Sequence, residues 1–248
     1  MSLQFIIGNS GAGKSGTAYE NIIREASANP DRLYYVIVPE QFTMQTQKTL
    51  VEMHPDGGIL NIDILSFERL AYRVFEEVGG DTRRIMEETG KNMVLQKLVQ
   101  MNQKNLVYLR NQMKKPGYLD EVKSLISEFM QYEIKEEELD EMIRESEDKT
   151  LLQMKLQDVK VLYQAFREYL SGHFMTAEEV LEVLAKEIQF SEKLKGSVLL
   201  LDGYTGFTPV QLEVLRELLA VCERVSVTVT MDVREQFLAM GKPHELFY

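Results

Sequence analysis

The sequence predicts an α/β protein in which a parallel sheet is interrupted by a large all-helical insertion and then resumed. Three observations predict it. Short β-rich apolar runs alternate with helix-forming stretches over residues 1–82. From 83 to 193 the apolar residues recur at helical spacing. From 194 to 248 the strand–helix–strand alternation returns. Alternation of this kind implies parallel pairing, because neighbouring parallel strands need a crossover long enough to hold a helix. The expected organisation is therefore an α/β domain in two parts, 1–82 and 194–248, around a helical domain at 83–193.

Each element has a local reason. Leu3 to Ile7 is an apolar and amide run suited to a strand; it leads into a glycine-rich loop and a helix-forming stretch from Thr17 to Ala28. Asn29-Pro30-Asp31 breaks that helix. Leu33 to Val38 reads as a short buried strand ended by Pro39, and a helix is expected from about Thr43 to the turn Pro55-Asp56-Gly57-Gly58. Ile59 to Leu65 reads as the next strand. Ser66 is placed to cap a helix with Glu68 and Arg69 in its first turn, ending at Gly79-Gly80. Between Arg83 and Phe190 no strand is expected. The stripes Leu119, Val122, Leu125, Ile126, Phe129 and Leu156, Val159, Leu162, Tyr163, Phe166, Tyr169, Leu170 have the period of core-facing helices, with breaks at Lys115-Pro116-Gly117 and Ser171-Gly172. Ser197 to Leu201 is a buried strand ending at Asp202, Thr208-Pro209 opens a helix to about Ala220, and Val225 to Met231 alternates as a strand ending at Asp232.

Composition narrows the function classes. With 44% hydrophobic and 27% charged residues the chain is of ordinary globular character, and no apolar run approaches the ~18 residues of a membrane span. No signal peptide opens it, so a cytoplasmic location without membrane attachment is expected. The single cysteine, Cys222, lies in an apolar-periodic segment and reads as a core residue. His54, His173 and His244 lack ligand spacing, so no protein-built metal site is expected. A net charge of −11 argues against a surface coated in basic residues for indiscriminate nucleic-acid binding, but leaves room for contacts confined to one groove. Much of the acidic excess lies between Glu133 and Lys149, which reads as a solvated face or an acidic docking surface.

The chemistry is concentrated at Gly8-Asn9-Ser10-Gly11-Ala12-Gly13-Lys14-Ser15, which fits GxxxxGK[ST] at every fixed position. Glycines let such a loop fold tightly around a phosphate with its backbone N–H groups pointing inward. Lys14 would reach the β- and γ-oxygens of ATP, Ser15 would offer its hydroxyl to Mg²⁺, and the helix that follows adds the positive end of its dipole. A loop of this kind needs an acid on a neighbouring strand for the Mg²⁺ shell, and Asp202 at the end of Ser197–Leu201 is the candidate, capping of the next turn being the alternative that its pairing with the loop disfavours. Gly203 stands where a helicase-type ATPase would carry a glutamate. A missing general base costs about 10²–10⁴-fold in rate, so the sequence points to binding more strongly than to hydrolysis. Glu40, at another strand end, is the one substitute in reach of the pattern.

These residues carry a resemblance. The loop Gly8–Ser15, the segments Val36–Thr43, Ile64–Val74 and above all Leu199–Gln211, with its Asp-Gly-Tyr-Thr-Gly-Phe-Thr-Pro string, resemble the amino-terminal region of the AddB family. These are the B subunits of bacterial AddAB helicase–nucleases. The resemblance implies a P-loop NTPase fold of the superfamily 1 helicase kind, Mg-ATP as cofactor, DNA and an AddA-like subunit as partners, and a role in double-strand-break processing before recombination. The family's carboxy-terminal nuclease domain and iron–sulfur cluster are not expected in this chain, which looks like the front end of a longer product. Gln41, Thr43, Ser66 and Phe67 fall in segments resembling those that line the single-strand groove of such helicases, and Arg69 and Arg73 offer phosphate contacts from one helix face. The alternatives stay open: capping for Ser66, core packing for Phe67, and pairing with Glu76 and Glu77 for the two arginines. Two other classes are also carried, a P-loop kinase or free-standing NTPase, and a docking module with a vestigial nucleotide site.

Overall fold

Gly8 closes strand β1 (Ser2–Gly8), and five residues later helix α1 (Lys14–Ala28) begins. The computed structural model describes residues 2–231 apart from 59, 80–82, 114 and 172–173. Within it follow β2 (Tyr34–Ile37), a short 3₁₀ turn at Glu40–Phe42, α2 (Thr43–Met53), β3 (Ile62–Leu65) and α3 (Phe67–Val78). Then come β4 (Arg84–Ile85), α4 (Glu88–Met101), α5 (Leu109–Gln112), α6 (Pro116–Gln131), α7 (Glu136–Glu145), α8 (Thr150–Leu170) and β5 (Phe174–Met175). The chain continues through α9 (Ala177–Glu187), β6 (Val198–Leu201), α10 (Pro209–Val221) and β7 (Arg224–Thr230). The described residues of Met1–Gly80 and Leu181–Tyr248 make one unit, and those of Asp81–Val180 another.

The first unit is α/β. Its five strands lie in the order β1-β7-β6-β2-β3 and every pairing is parallel. All four residues of β2 and all four of β6 are buried, as continuous apolar strands covered on both faces require. On one face Tyr34, Val36, Ile62, Ile64, Val198 and Leu200 pack with Ala18, Tyr19, Ile22, Ile23 and Ala26 of α1 and Leu50 of α2. The register pairs Val36 with both Ile64 and Leu200, so the alternate residues of three strands meet on that face. Because all strands run the same way, their carboxyl ends and the loops after them gather along one edge. That edge holds the glycine-rich loop, the 3₁₀ turn, the start of α3 and the segment after β6.

Helix ends follow their sequence signals. Ser66 caps α3 by accepting from the Arg69 N–H at 3.3 Å, and Gly79 ends it at φ 81°. Thr208 and Gln211 form a reciprocal box at the start of α10, with the Thr208 N–H donating to Gln211 Oε1 at 3.0 Å and the Gln211 N–H to Thr208 Oγ1 at 3.4 Å. Cys222 is buried beside Ser197, and burial raises its thiol pKa.

Two expectations need correction. The stretch read as strand-free contains β4 and β5, which pair in parallel with Arg84 opposite Phe174 and Ile85 opposite Met175. Two-residue strands are too short to display a period of two. The strand expected from Ile59 starts at Ile62, Ile59 itself being outside the described residues. Leu60 is fully exposed, and the Asn61 side-chain amide instead donates to the carbonyls of Ala26, Asn29 and Arg32 at 3.0–3.2 Å, tying the strand's entry to the end of α1. The features placed on Gly80, Gly172, His173, Asp232 and His244 also lie outside the described residues.

The second unit is built from α4 to α8 around Leu95, Leu98, Ile126, Phe129, Leu162 and Phe166. Asp158 of α8 is buried there. Its carboxylate accepts from the backbone N–H groups of Val107, Tyr108 and Leu109 at 2.6–3.1 Å and so holds the start of α5. The acidic run from Glu133 to Lys149 is largely exposed around α7, with Leu139 its buried anchor.

Candidate functional site

The loop after β1 is shaped by its glycines. Gly11 and Gly13 stand at φ 74° and 82°, the left-handed region that favours glycine. A Cβ on Gly8 would lie 3.3 Å from both Ala12 Cβ and Lys14 Cγ, closer than ordinary packing allows. The Asn9 carbonyl gathers the turn, accepting from the Ala12 N–H at 3.1 Å and from Lys14 Nζ at 2.8 Å. Asn9, Ser10, Gly11, Ala12 and Gly13 are exposed, and no side chain caps the first turn of α1. Its leading N–H groups therefore have no side-chain oxygen on them, which suits an anion.

Asp202 lies just past the end of β6 and is 5% exposed, its own N–H donating to the Ile37 carbonyl at 3.0 Å. Three hydroxyls converge on its carboxylate. Ser15 Oγ donates to Oδ1 at 3.0 Å, Thr228 Oγ1 donates to Oδ1 at 2.6 Å, and the Tyr19 phenol donates to Oδ2 at 2.5 Å. Ser15 and Tyr19 are four residues apart on α1 and so share a face, while Thr228 comes from β7 between β1 and β6. Burial, then the hydrogen bond and charge of Asp202, push the Tyr19 pKa well up, so the phenol keeps its proton; nearby Thr46 opposes the shift. The sequence indicated Lys14, Ser15 and Asp202. Tyr19 and Thr228 carried no signal, because the carboxylate that gives them a role lies 183 and 26 positions away.

Gly203 is at φ 79°, and a Cβ there would meet Pro39 and Phe42 at the ordinary distances of 3.5 and 3.7 Å. The backbone conformation, more than the space, specifies glycine after Asp202. Glu40 is paired with Arg69, which donates to its Oε1 from Nε at 3.1 Å and from the terminal nitrogen at 2.8 Å. Burial, then the Glu40 charge, raises the pKa of Tyr204.

The remaining candidates lie along the same edge in different settings. Gln41 is exposed on the 3₁₀ turn; Thr43 is buried and donates to the Glu40 carbonyl at 2.9 Å. Ser66 is buried in its capping role. Phe67 is 4% exposed, its ring edge-on to Tyr204 and Phe207 at centroid distances of 5.5 and 6.5 Å, so no face is open to a base. Phe42 on the 3₁₀ turn is an exposed aromatic ring, half-exposed beside the largely exposed Met44, and the sequence pattern did not single it out. Arg69 and Arg73 are exposed, but their partners are Glu40 and Asp63 rather than Glu76 and Glu77. Glu77 instead accepts from Ser191 Oγ and the Lys193 N–H; partial burial pushes its pKa up, but these bonds outweigh that effect and leave it lowered.

Fold and site together define an α/β protein with a glycine-rich loop facing a buried carboxylate at the carboxyl edge of a parallel sheet. The family described as "ADDB, N-terminal" matches residues 5–248, and the chain belongs to it. Its relatives are named as the B subunits of ATP-dependent helicase/deoxyribonucleases. The protein of Lachnoclostridium phytofermentans is 45% identical over the whole chain, that of Alkaliphilus metalliredigens 35% over the whole chain, and that of Bacillus cereus 33% over the whole chain. The chain spans about a fifth of the length of these curated relatives, 22%, 21% and 22% respectively. Among the described residues no helix is long and apolar enough to cross a membrane, and no three His, Cys, Asp or Glu side chains gather into a metal-holding group.

Proposed function

We propose that this chain is the amino-terminal, helicase-like region of a helicase–nuclease B subunit that processes DNA double-strand ends for recombinational repair, and that it binds Mg-ATP through a P-loop NTPase fold. The observation that carries the reading is the 3.0 Å bond from Ser15 to Asp202, which joins the loop to a buried acid across the sheet. The residues fit the ligand. Ser10, Gly11 and Gly13 offer backbone N–H groups to phosphate, and Lys14 exchanges the Asn9 carbonyl for phosphate oxygens. Ser15 keeps lone pairs for the cation, and Asp202 accepts from its water shell. Bound Mg²⁺ neutralises phosphate charge. With no three-residue acidic group of its own among the described residues, the site relies on phosphate, Ser15 and water for most of the ligands.

The site holds nucleotide better than it hydrolyses it. Glycine follows Asp202 and Glu40 is paired with Arg69, so in the absence of DNA neither position offers an unpaired carboxylate to activate water. The motor activity is assigned to an AddA-like partner, with ATP setting the conformation of this region. DNA is placed along the same edge, where exposed Gln41, Arg69 and Arg73 offer a strand donors that trade Glu40 and Asp63 for phosphate.

Titration of Mg-ATP into the wild-type chain, with Lys14→Ala as control, tests the reading. Micromolar affinity in the wild type, lost in a variant with unchanged circular dichroism, is the expected result. No binding by the wild-type chain, or equal binding by the variant, overturns it.

A further inference from the structure

We propose that Tyr19 and Thr228 are positioning residues for the metal-facing carboxylate: each fixes one oxygen of Asp202, so that Oδ1 is presented to Ser15, and through Ser15 to a magnesium–nucleotide complex, in one orientation. This rests on the Mg-ATP reading of the site.

A carboxylate with a single hydrogen bond can rotate about its Cβ–Cγ bond. Asp202 cannot do so without breaking a buried bond, because Oδ2 is held at 2.5 Å by the Tyr19 phenol from α1 and Oδ1 at 2.6 Å by Thr228 from β7. Both donors are buried, Tyr19 at 6% and Thr228 at 6% exposure, so water does not replace them cheaply. The third donor, Ser15, is only partly buried and makes the longest of the three bonds at 3.0 Å. The arrangement therefore divides into two fixed donors and one that faces the loop. The helix period assigns the roles: Ser15, in the first turn, reaches the loop, and Tyr19, one turn further on the same face, reaches the far oxygen.

A fixed carboxylate matters because Asp202 would act on the cation through water or through Ser15. Such contacts depend on direction more strongly than a bare charge does. Outer groups that orient a metal-facing ligand are worth about 10–100-fold in metal affinity. Tyr19 and Thr228 should then act on the magnesium term of nucleotide binding and leave the phosphate term, carried by the loop and Lys14, unchanged.

The test is binding of a fluorescent ATP analogue to the 248-residue chain, first in EDTA and then across a MgCl₂ titration. It compares wild type, Tyr19→Phe and Thr228→Val. Both substitutions nearly preserve shape, and thermal melting of the ligand-free proteins reports any loss of fold. The expected result is metal-free affinity equal to wild type, with the MgCl₂ midpoint shifted upward by about 10–100-fold. Thr228→Val answers for the carboxylate if Tyr19→Phe does not fold. A wild-type midpoint in variants that melt at a lower temperature shows that the two bonds serve stability alone and overturns the proposal. If the wild-type chain binds no analogue in either condition, the Mg-ATP reading itself fails.

Discussion

At Gly203 a single dihedral angle bears on whether the chain can hydrolyse ATP. The residue sits at φ 79°, where an L side chain costs about 1–2 kcal/mol. Restoring a glutamate after Asp202 therefore does more than add a base: it strains the turn that aims Asp202. Gly203→Glu is expected to lower the melting temperature and leave ATP turnover at the wild-type level, measured by phosphate release. A rise in turnover would show that the missing side chain was the only obstacle. Phe67 and Phe42 form a second residue-scale contrast on the same edge. Phe67 is buried against Tyr204 and Phe207, so Phe67→Ala should cost about 3–5 kcal/mol in denaturant unfolding. Phe42 is half-exposed, and Phe42→Ala should cost less than about 1 kcal/mol. Equal losses would contradict the burial described for the two rings.

Among the elements, α5 depends most on one distant side chain. It is four residues long, too short to be stable alone, and its opening N–H groups are satisfied by Asp158 from the middle of α8. Asp158→Ala leaves the part-buried N–H groups of Val107 and Tyr108 and the buried one of Leu109 without this acceptor, and a loss of about 1–3 kcal/mol is expected. Hydrogen exchange should show the amides of residues 107–109 among the first to lose protection. Retention of their protection in Asp158→Ala would refute this account of how α5 is held. The α8 stripe was legible from its period, since Val159, Leu162, Tyr163, Phe166 and Leu170 are all buried. Asp158 was not, because a carboxylate beside that stripe looks like a solvated residue until the N–H groups it serves are placed against it.

For the molecule as a whole, buried phenols set the alkaline limit of stability. Burial, then the charges of Asp63 and Glu77, push the pKa of Tyr35 up to about 12, and burial also raises those of Tyr19 and Tyr204. An unfolded tyrosine ionises near pH 10. A folded pKa above the unfolded one means that the stabilisation is complete below pH 10 and is lost as pH rises through about 12. Denaturant unfolding should therefore give a stability that begins to fall above about pH 9, where the unfolded Cys222 thiol ionises, and falls more steeply above about pH 10 as the tyrosines follow. In Tyr35→Phe the fall should be shallower. An identical fall in that variant would assign the loss to other groups.

Much of this was already in the order of residues. Apolar runs of strand length between helix-length segments gave the alternation, and with it a parallel sheet, because parallel neighbours require a crossover of that length. Glycine spacing before Lys14 gave the loop, since glycine adopts φ 74° and 82° at Gly11 and Gly13 without the strain other side chains meet. Ser66 and Thr208 gave helix starts through hydrogen bonds that reach only three residues. These signals are local, and local backbone physics is written in neighbouring residues. Tertiary structure alone decided which groups meet: Ser15, Tyr19 and Thr228 on Asp202, Arg69 on Glu40, Asp158 on the start of α5, and Phe67 turned inward while Phe42 stays outside. Those contacts join residues from 26 to 187 positions apart, and they exist only once strand order and register have brought their elements together.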